Sequence, residues 1–236
     1  MKTKMQRRSY EQWCAVARAL DVVGERWTLL IIRDLLIGPK RYSDLLAGLP
    51  GIGTNLLAER LRDLERRGLI ERTTLPAPAN ASVYGLTEKG RGLESVVLAL
   101  GRWGFEFLGR PKPTDAMLPD PFFVSLRASF RPERAKGLRE RYAFRVEGRV
   151  FEVVIDDATI AVREGGASDP DAFFTTDAKT LFALRRREVT PREAVASGAV
   201  KVDGDQKSLA RFVEATAWSD QMLSRLDKPG TRPRTP

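Results

Sequence analysis

The sequence predicts an α+β protein in two parts: a mostly helical half with a β-hairpin, and a five-stranded sheet covered by helices. Three observations predict it. Apolar residues recur at helical spacing up to Gly68, strand-like alternation dominates after residue 140, and four prolines interrupt the stretch GRPKPTDAMLPDP between them. We therefore expect domains at 1–110 and 122–228, joined by a linker at 111–121 and followed by a flexible tail at 229–236.

Helices are predicted first along the chain. The first carries a stripe of Trp13, Ala17 and Leu20 and ends at Gly24. The second is apolar on two faces, which is typical of a helix at the centre of a domain. A short third helix turns Tyr42 inward. Their sequences are YEQWCAVARALDVVG, RWTLLIIRDLLIG and RYSDLLAGLPG.

The next stretch, GIGTNLLAERLRDLERRGLI, places Leu57, Leu61 and Leu64 at i, i+4 and i+7, with Gly68 at its end. Two short strands follow, LIERTT and SVYGLT, joined by the loop LPAPANA. Two helices, a tight turn and a strand–loop–strand hairpin predict a winged helix-turn-helix. A last helix, capped by Thr87, carries more apolar surface than a small domain needs to cover, which favours packing against a second copy of the chain.

The leucine-striped helix has two interpretations. Taken alone, it is most simply a solvated surface helix. Followed by a wing and lying in a basic half, it is typical of a helix that enters the major groove of double-stranded DNA. The side chains expected to read bases are Thr54, Asn55, Ala58, Glu59 and Arg62, and those expected to contact phosphates are Lys40, Arg41, Tyr42, Arg66 and Arg72.

The charge balance favours a polyanionic partner. The chain has 40 Lys and Arg against 31 Asp and Glu, a formal net charge of +9, and most of the excess lies in residues 1–110. It has no histidine and one cysteine, so histidine-dependent catalysis, thiolate zinc cages and intrachain disulfides are excluded. Catalysis by carboxylates or lysine remains open, but no closely spaced pair lies in an evident pocket-forming motif, and no glycine-rich phosphate loop is present. We predict no enzyme, no catalytic residue, no metal and no cofactor.

Location is predicted from what the sequence lacks. The basic start is not followed by an apolar stretch, and the longest apolar runs are too short to cross a bilayer. We expect a cytoplasmic protein that does not bind membranes.

The second half begins with a helix, PFFVSLRASF, before alternation takes over. Five strands are expected, the first two joined by a turn at Glu147-Gly148. Thr190, Pro191 and Glu193 fit cap, first-turn and capping-box positions of one helix, and QKSLARFVEATAWSDQML predicts a closing amphipathic helix. The run Arg185-Arg186-Arg187 is interpreted as solvated surface at a helix end.

Roughly residues 10–108 carry a set of features in a fixed order: Cys14, Gly24 before Trp27-Thr28, Leu35 with Gly38, Arg41–Leu45, Gly51-Ile52, Leu61–Leu69 and Leu86-Thr87-Glu88-Lys89-Gly90. In these features the chain resembles the HxlR group of bacterial transcription regulators. The resemblance implies dimers that bind operators through a winged helix. Two positions depart from the usual pattern: Tyr42 stands where the family usually has Phe, and Gly53 where a Ser often caps the reading helix.

Cys14 has two interpretations. Its neighbours Trp13 and Ala17 on the stripe favour a small buried core residue, the commoner role of a free cysteine. Some members of the family that the chain resembles are redox or aldehyde sensors with a cysteine here, and Arg18 one turn away favours a thiolate.

Over roughly residues 120–226 the chain resembles the sterol carrier protein type 2 fold, in the stretches VEGRVFEVVIDDATIAVREG, DAFFTTDAKTLFAL and ASGAVKVDGDQKSLARF. That resemblance implies an apolar tunnel between sheet and helices. Each candidate lining residue also fits a plain core position. The candidates are Phe151, Val153, Phe174, Phe182, Phe212 and Trp218.

Three functions follow from these features. The first is a homodimeric DNA-binding transcriptional regulator that reads a two-fold operator and whose second domain binds an apolar effector. The second is a lipid or acyl carrier that uses the first domain only to dimerise. The third is an enzyme acting on a bound apolar substrate, disfavoured by the missing catalytic motifs.

Overall fold

The computed structural model of the chain describes residues 9–77 and 80–226, and its contacts form two compact units. The first unit contains residues up to Leu35 and Pro39–Leu93; the second contains Leu36–Gly38 and the residues from Glu94. Both combine helices with strands, so the α+β class is confirmed. The predicted tail at 229–236 lies outside the described residues.

The first unit is a winged helix-turn-helix. Its strands pair antiparallel, with Ile70 opposite Leu86 and Thr74 opposite Ser82. Lys40 adds a third, one-residue strand: its amide donates to the Tyr84 carbonyl at 2.9 Å, and its carbonyl accepts from the Tyr84 amide at 2.8 Å. The elements are α1 (Ala15–Val23), α2 (Thr28–Leu35), α3 (Tyr42–Gly48), α4 (Thr54–Arg66), β1 (Ile70–Thr74), β2 (Ser82–Leu86) and α5 (Glu88–Arg91).

The start of α1 differs from the expectation. The helix begins only at Ala15, Trp13 is fully exposed and Cys14 is exposed, so the interpretation of Cys14 as a buried core residue is wrong for this unit. The stripe fails because Cys14 still has extended backbone and precedes the first helical residue. Within α1, Ala17 and Val23 are the buried residues.

The helix expected from Thr87 is broken into two. The Thr87 hydroxyl does cap α5, accepting from the Gly90 amide at 3.1 Å and donating to the Gly68 carbonyl at 2.7 Å. The helix then stops at Gly92 and restarts as α6 (Glu94–Gly104). Helix α5 packs closely against the backbone at Leu69, and only glycine fits at position 90, because a Cβ there would lie 1.9 Å from the Leu69 carbonyl oxygen.

The second unit is a five-stranded sheet with helices, as expected. The strand order is β5-β4-β3-β6-β7, in which β3 and β6 are parallel and the other neighbours antiparallel. Its elements are α6, α7 (Pro119–Ser129), β3 (Arg139–Val146), β4 (Arg149–Asp156), β5 (Thr159–Glu164), β6 (Ala172–Thr176), α8 (Ala178–Arg185), α9 (Pro191–Ala196), β7 (Lys201–Gly204), α10 (Ser208–Thr216) and α11 (Asp220–Leu226).

Helix α6 groups with this second unit, whereas the sequence predicts a domain boundary after residue 110. The reason is packing on α7: Glu94 forms an ion pair with Arg127, and Gly101 lies against Ala128. Helix α7 itself begins at Pro119, inside the predicted linker.

Aromatic side chains fill the interior between the sheet and its helices. Phe123 stacks on Phe151 with ring centroids 4.2 Å apart, and Phe144 lies 5.0 Å from Phe174 and 4.8 Å from Phe212. All five are at most 1% exposed. Offset and edge contacts of this kind add to the hydrophobic free energy of burial.

The closing helix is also divided. The sequence predicts one amphipathic helix, but Ala217 adopts an extended conformation between α10 and α11. The amide of Trp218 then donates to the Arg185 carbonyl at 3.2 Å, outside any helix. The predicted capping box is present, with the Thr190 amide donating to the Glu193 carboxylate at 2.9 Å.

Replacing Gly90 by alanine should destabilise the first unit by about 3 kcal/mol, because the new methyl group would overlap the Leu69 carbonyl. Urea unfolding, with hydrogen exchange of α4 amides to locate the loss, measures it. Gly85→Ala is the matched control: its Cβ would lie 3.8 Å from Pro39, an ordinary contact, and should be tolerated within about 1 kcal/mol. Equal effects of the two substitutions would contradict this account of Gly90.

Candidate functional site

The helix-turn-helix is formed by α3 and α4. Leu57, Leu61 and Leu64 are at most 1% exposed and form the buried face of α4. Each buried leucine contributes roughly 1.5–3 kcal/mol relative to exposure, so this face fixes the rotation of the helix about its axis. The turn between the helices is anchored by two further buried residues, Leu49 and Ile52.

The opposite face of α4 carries the predicted base-reading residues. Thr54, Asn55 and Arg62 are exposed, and Ala58 and Glu59 are half-buried. Since these side chains are accessible to solvent, the described residues of the first unit do not cover this face. Short side chains at the N-terminal end and a cation two turns on suit a helix that enters a groove by its N-terminus.

Tyr42 fixes the N-terminal end of α4. Its hydroxyl donates to the Thr54 carbonyl at 2.7 Å, which joins α3 to the first residue of α4. The structure therefore brings together two predicted contact residues, and it gives Tyr42 a positioning role in the free protein. Phenylalanine, the residue usual here in the group that the sequence resembles, has no hydroxyl and could not form this bond.

The two arginines further along α4 make only weak internal contacts. The Arg62 guanidinium donates to the Ala58 carbonyl at 3.1 Å, and that of Arg66 lies 3.0 Å from the Asp63 carboxylate. Both side chains are exposed, and such surface contacts contribute little free energy. They can therefore reorient toward a ligand at small cost.

Arg60 was not singled out in the sequence. Its guanidinium lies 3.0 Å from both Glu59 and Glu25, and Glu25 lies in the turn before α2. Arg60 thus neutralises Glu59 on the polar face of α4 and ties α4 to the turn before α2. Only the tertiary position of Glu25 reveals this, because the two residues are 35 positions apart.

The predicted phosphate contacts divide into accessible and inaccessible residues. Arg41 is exposed at the start of α3, and Arg72 is exposed on β1, where it donates to the Ser82 hydroxyl at 2.6 Å and lies over the Tyr84 ring. Lys40 is only 2% exposed, so its assignment as a phosphate contact is wrong. Its backbone is recruited into the wing, which draws the side chain inward.

Cys14 lies on the surface, but the cation expected to favour its thiolate points elsewhere. The Arg18 guanidinium lies 3.5 Å from the Asp21 carboxylate and 3.4 Å from the Ser9 hydroxyl. Arg18 contacts Cys14 through a backbone hydrogen bond, in which the Arg18 amide donates to the Cys14 carbonyl at 3.0 Å.

The second unit contains an open cavity of about 450 Å³. Of the predicted lining residues, Phe182 and Trp218 border it, while Phe151, Val153, Phe174 and Phe212 are buried in the packed interior. Much of the remaining wall comes from the predicted linker and its approach, which sequence reasoning missed. These residues are Gly104, Phe107, Leu108, Gly109, Pro111, Lys112, Asp115, Ala116 and Met117, with Arg186 and Leu226.

Arg185 lies just behind this cavity and contradicts the expectation of a solvated run, because its side chain is 1% exposed. Its guanidinium donates to the Ser125 and Ser129 hydroxyls, each at 2.6 Å, and to the Thr216 carbonyl at 3.0 Å. Burial lowers the pKa of Arg185 to about 9, which leaves it protonated at neutral pH. Arg186 is half-buried and paired with Glu188, so of the three arginines only Arg187 is exposed as expected.

Within 9–77 and 80–226 no group of three or more Cys, Asp or Glu side chains could hold a metal ion. No helix in that part of the chain is long and apolar enough to cross a membrane.

Two protein families match the chain. The family described as HxlR-like helix-turn-helix matches residues 22–112, and the SCP-2 sterol transfer family matches residues 125–216. Each match falls on the part of the sequence that resembles that family, so both predicted resemblances are confirmed.

Several regulators are similar to the first part of the chain. An uncharacterized HTH-type transcriptional regulator of Mycobacterium tuberculosis is 43% identical over 98 residues, covering 42% of this chain and 61% of the relative. The HTH-type transcriptional regulator YodB of Bacillus subtilis is 39% identical over 89 residues, covering 38% of this chain and 80% of YodB. The chain thus spans 61% of the length of the mycobacterial relative.

Among solved structures, the reduced form of YodB from B. subtilis is 36% identical, covers 44% of this chain and all of its own length, and has a TM-score of 0.36. The quinone-bound form of YodB is likewise 36% identical, with 39% of this chain and 97% of that chain covered and a TM-score of 0.34.

Proposed function

Since the chain belongs to the HxlR-like helix-turn-helix family, whose curated relatives are transcriptional regulators, we propose that it reads a two-fold operator as a homodimer through α4. Arg41 and Arg72 hold the phosphates on either side of the groove, and Asn55 and Arg62 contact base edges. The second unit binds an apolar effector that changes operator affinity.

The observation that carries this proposal is the open polar face of α4. Thr54, Asn55 and Arg62 are exposed while the leucines on the other side of the helix are fully buried. An ordinary solvated helix would need no tyrosine bond to hold its first residue, yet Tyr42 holds Thr54. Fixing that end before binding lowers the entropy lost when the helix enters a groove.

Two exposed apolar surfaces support a dimer. Helix α1 exposes Val16 and Leu20, and α6 exposes Leu100 and Trp103, the latter at 62%. On each helix, these apolar side chains are exposed to solvent. A second copy of the chain would bury them, and that burial would stabilise the dimer through the hydrophobic effect. A dimer also presents two copies of α4, as a two-fold operator requires.

An effector is supported by the second unit and its cavity. Regulation requires that the effector bind the DNA-competent and incompetent forms with different affinity. Operator affinity that is unchanged at demonstrated saturation of the cavity would contradict this part of the proposal.

A carrier of apolar ligands is the second function, favoured by the match of residues 125–216 to the SCP-2 sterol transfer family. Specificity for DNA separates the two. A regulator keeps its operator affinity at least about 10³-fold above its affinity for bulk DNA, whereas a carrier with a basic surface binds all DNA alike and weakly.

Selection of bound DNA from a random pool should give a two-fold symmetric consensus. Asn55→Ala and Arg62→Ala should then lose sequence preference, each by about 1–3 kcal/mol at the base contacted, because base-edge hydrogen bonds are removed. Arg41→Ala should weaken binding to all sequences alike, because it contacts phosphate. Titration of labelled duplexes at several salt concentrations measures both, with Arg91→Ala, an exposed arginine on α5, as the control.

A selection that returns no consensus would contradict the proposal. So would variants of Asn55 and Arg62 that keep the preference of the parent protein.

Leu100→Glu should convert the dimer to a monomer. Leu100 is 44% exposed in the single chain, so the charge does not disturb folding but would be buried in a dimer. Ser95→Glu adds the same charge on an exposed position elsewhere on α6 and should leave the dimer intact. Light scattering across a dilution series measures the change; a dimer that tolerates Leu100→Glu would exclude this surface.

Cys14 is a candidate sensor, favoured by its exposure. If Cys14 responds to oxidants or aldehydes, the Cys14→Ser variant should stay bound to the operator under conditions in which the parent protein releases it, since serine lacks the reactive sulfur atom. Operator titration before and after treatment with peroxide or an aldehyde measures this. Equal release by both proteins would remove Cys14 from consideration.

A further inference from the structure

The cavity of the second unit lies mostly outside the part that matches the sterol-transfer family. That match covers residues 125–216, whereas the cavity is built largely from residues 104–117 together with Trp218 and Leu226. Phe182 and Arg186 are its contributions from the matched part. A volume of about 450 Å³ falls within the usual range of small-molecule sites.

A buried cation stands directly behind the cavity wall. The Arg185 guanidinium lies 5.3 Å from the centroid of Trp218, which borders the cavity, and 5.6 Å from that of Phe122. Its hydrogen-bond acceptors are two hydroxyls and one carbonyl, and it has no carboxylate partner within the described part of the chain.

The acceptors only partly compensate this charge. Ser129 is the last residue of α7 and Thr216 the last of α10, so the guanidinium sits where two helix C-termini, each with a partial negative charge, converge. Fractional helix charges leave part of the positive charge unopposed. In a region of low dielectric constant, that residual potential extends to the neighbouring cavity.

The charged groups of the cavity wall include both signs. Lys112 and Arg186 border it, together with Asp115. Arg186 is paired with Glu188 at 2.7 Å, and the Asp115 carboxylate accepts from the Lys112 amide at 2.8 Å. With Glu188 counted, the two positive and two negative charges of this group cancel. Arg185 adds a buried positive charge behind them.

We propose that this cavity binds an apolar monoanion, an aromatic or branched carboxylate or sulfonate, whose charged end is attracted by Arg185 through Trp218. The apolar body contacts Phe107, Leu108 and Phe182. A cation would be repelled, and a neutral ligand of the same shape would lack the electrostatic attraction. The inference rests on the proposed function in one respect: the occupant is taken to be the effector.

The test uses two dyes of the same ring system, anilinonaphthalene sulfonate and neutral N-phenylnaphthylamine, titrated by fluorescence into the whole chain. The sulfonate should bind at least about tenfold more tightly, since two opposite charges separated by roughly 10 Å at an effective dielectric constant of about 20 attract by an amount of that order. Equal affinity of the two dyes, or no binding of the sulfonate, would overturn the proposal.

Location is tested at Gly104, which lines the cavity and has open space where a Cβ would stand. Gly104→Phe should fill the cavity and abolish the high-affinity phase of sulfonate binding, while Gly104→Ala should retain it. If both variants keep the high-affinity phase of sulfonate binding, the dye binds elsewhere, for instance on the exposed face of α6, and the proposal is overturned. Stronger binding on dilution to monomers would mean that a second copy covers the cavity, which also overturns the proposal.

The charge is tested at Arg185. Arg185→Met should weaken sulfonate binding about tenfold without affecting the neutral dye, and Arg185→Lys should restore much of it. Lys179→Met removes the same charge from an exposed position on α8 and should have no effect. If Arg185→Met fails to fold, the comparison of the two dyes and the Gly104 pair still decide the proposal.

A final titration separates this inference from the proposed function. It adds the selected operator to the dye-saturated protein. Sulfonate binding as expected with unchanged operator affinity would leave the site standing and remove its role as effector site. Failure of the dye experiments with intact operator binding would remove the site and leave DNA reading untouched.

Discussion

The first unit depends on one constraint: α4 must bury one face completely. Leu57, Leu61 and Leu64 meet it, and at 3.6 residues per turn their burial determines which positions face solvent. Thr54, Asn55 and Arg62 are exposed because of where the leucines are. The bond from Tyr42 to Thr54 adds a second restraint, since it fixes the end of the helix as well as its rotation.

Features decided by local sequence could be predicted well. The helix ends at Gly24 and Gly68 and the caps at Thr87 and Thr190 depend on residues within a few positions, and they agree with the structure. The order of strands and helices in both units was also predictable, because the period of the apolar pattern changes where the structure changes.

Burial of individual side chains was less predictable, because it depends on distant neighbours. Lys40 is covered because its backbone pairs with Tyr84, 44 positions away in the sequence numbering, and Arg185 is covered because α7 and α10 end beside it. The aromatic residues expected to line a tunnel fill the interior instead, while the proline-rich stretch expected to be a bare linker supplies cavity walls. Composition alone does not distinguish these outcomes, since both need apolar side chains.

The one-residue strand at Lys40 has a mechanical consequence. Its two hydrogen bonds to Tyr84 clamp the wing to the segment immediately preceding α3. Sliding the hairpin along that segment would break both bonds together, so the wing cannot shear past α3 in small steps. The wing and α3 therefore approach any surface that both of them contact as one rigid unit. The distance between them is set by the fold before contact.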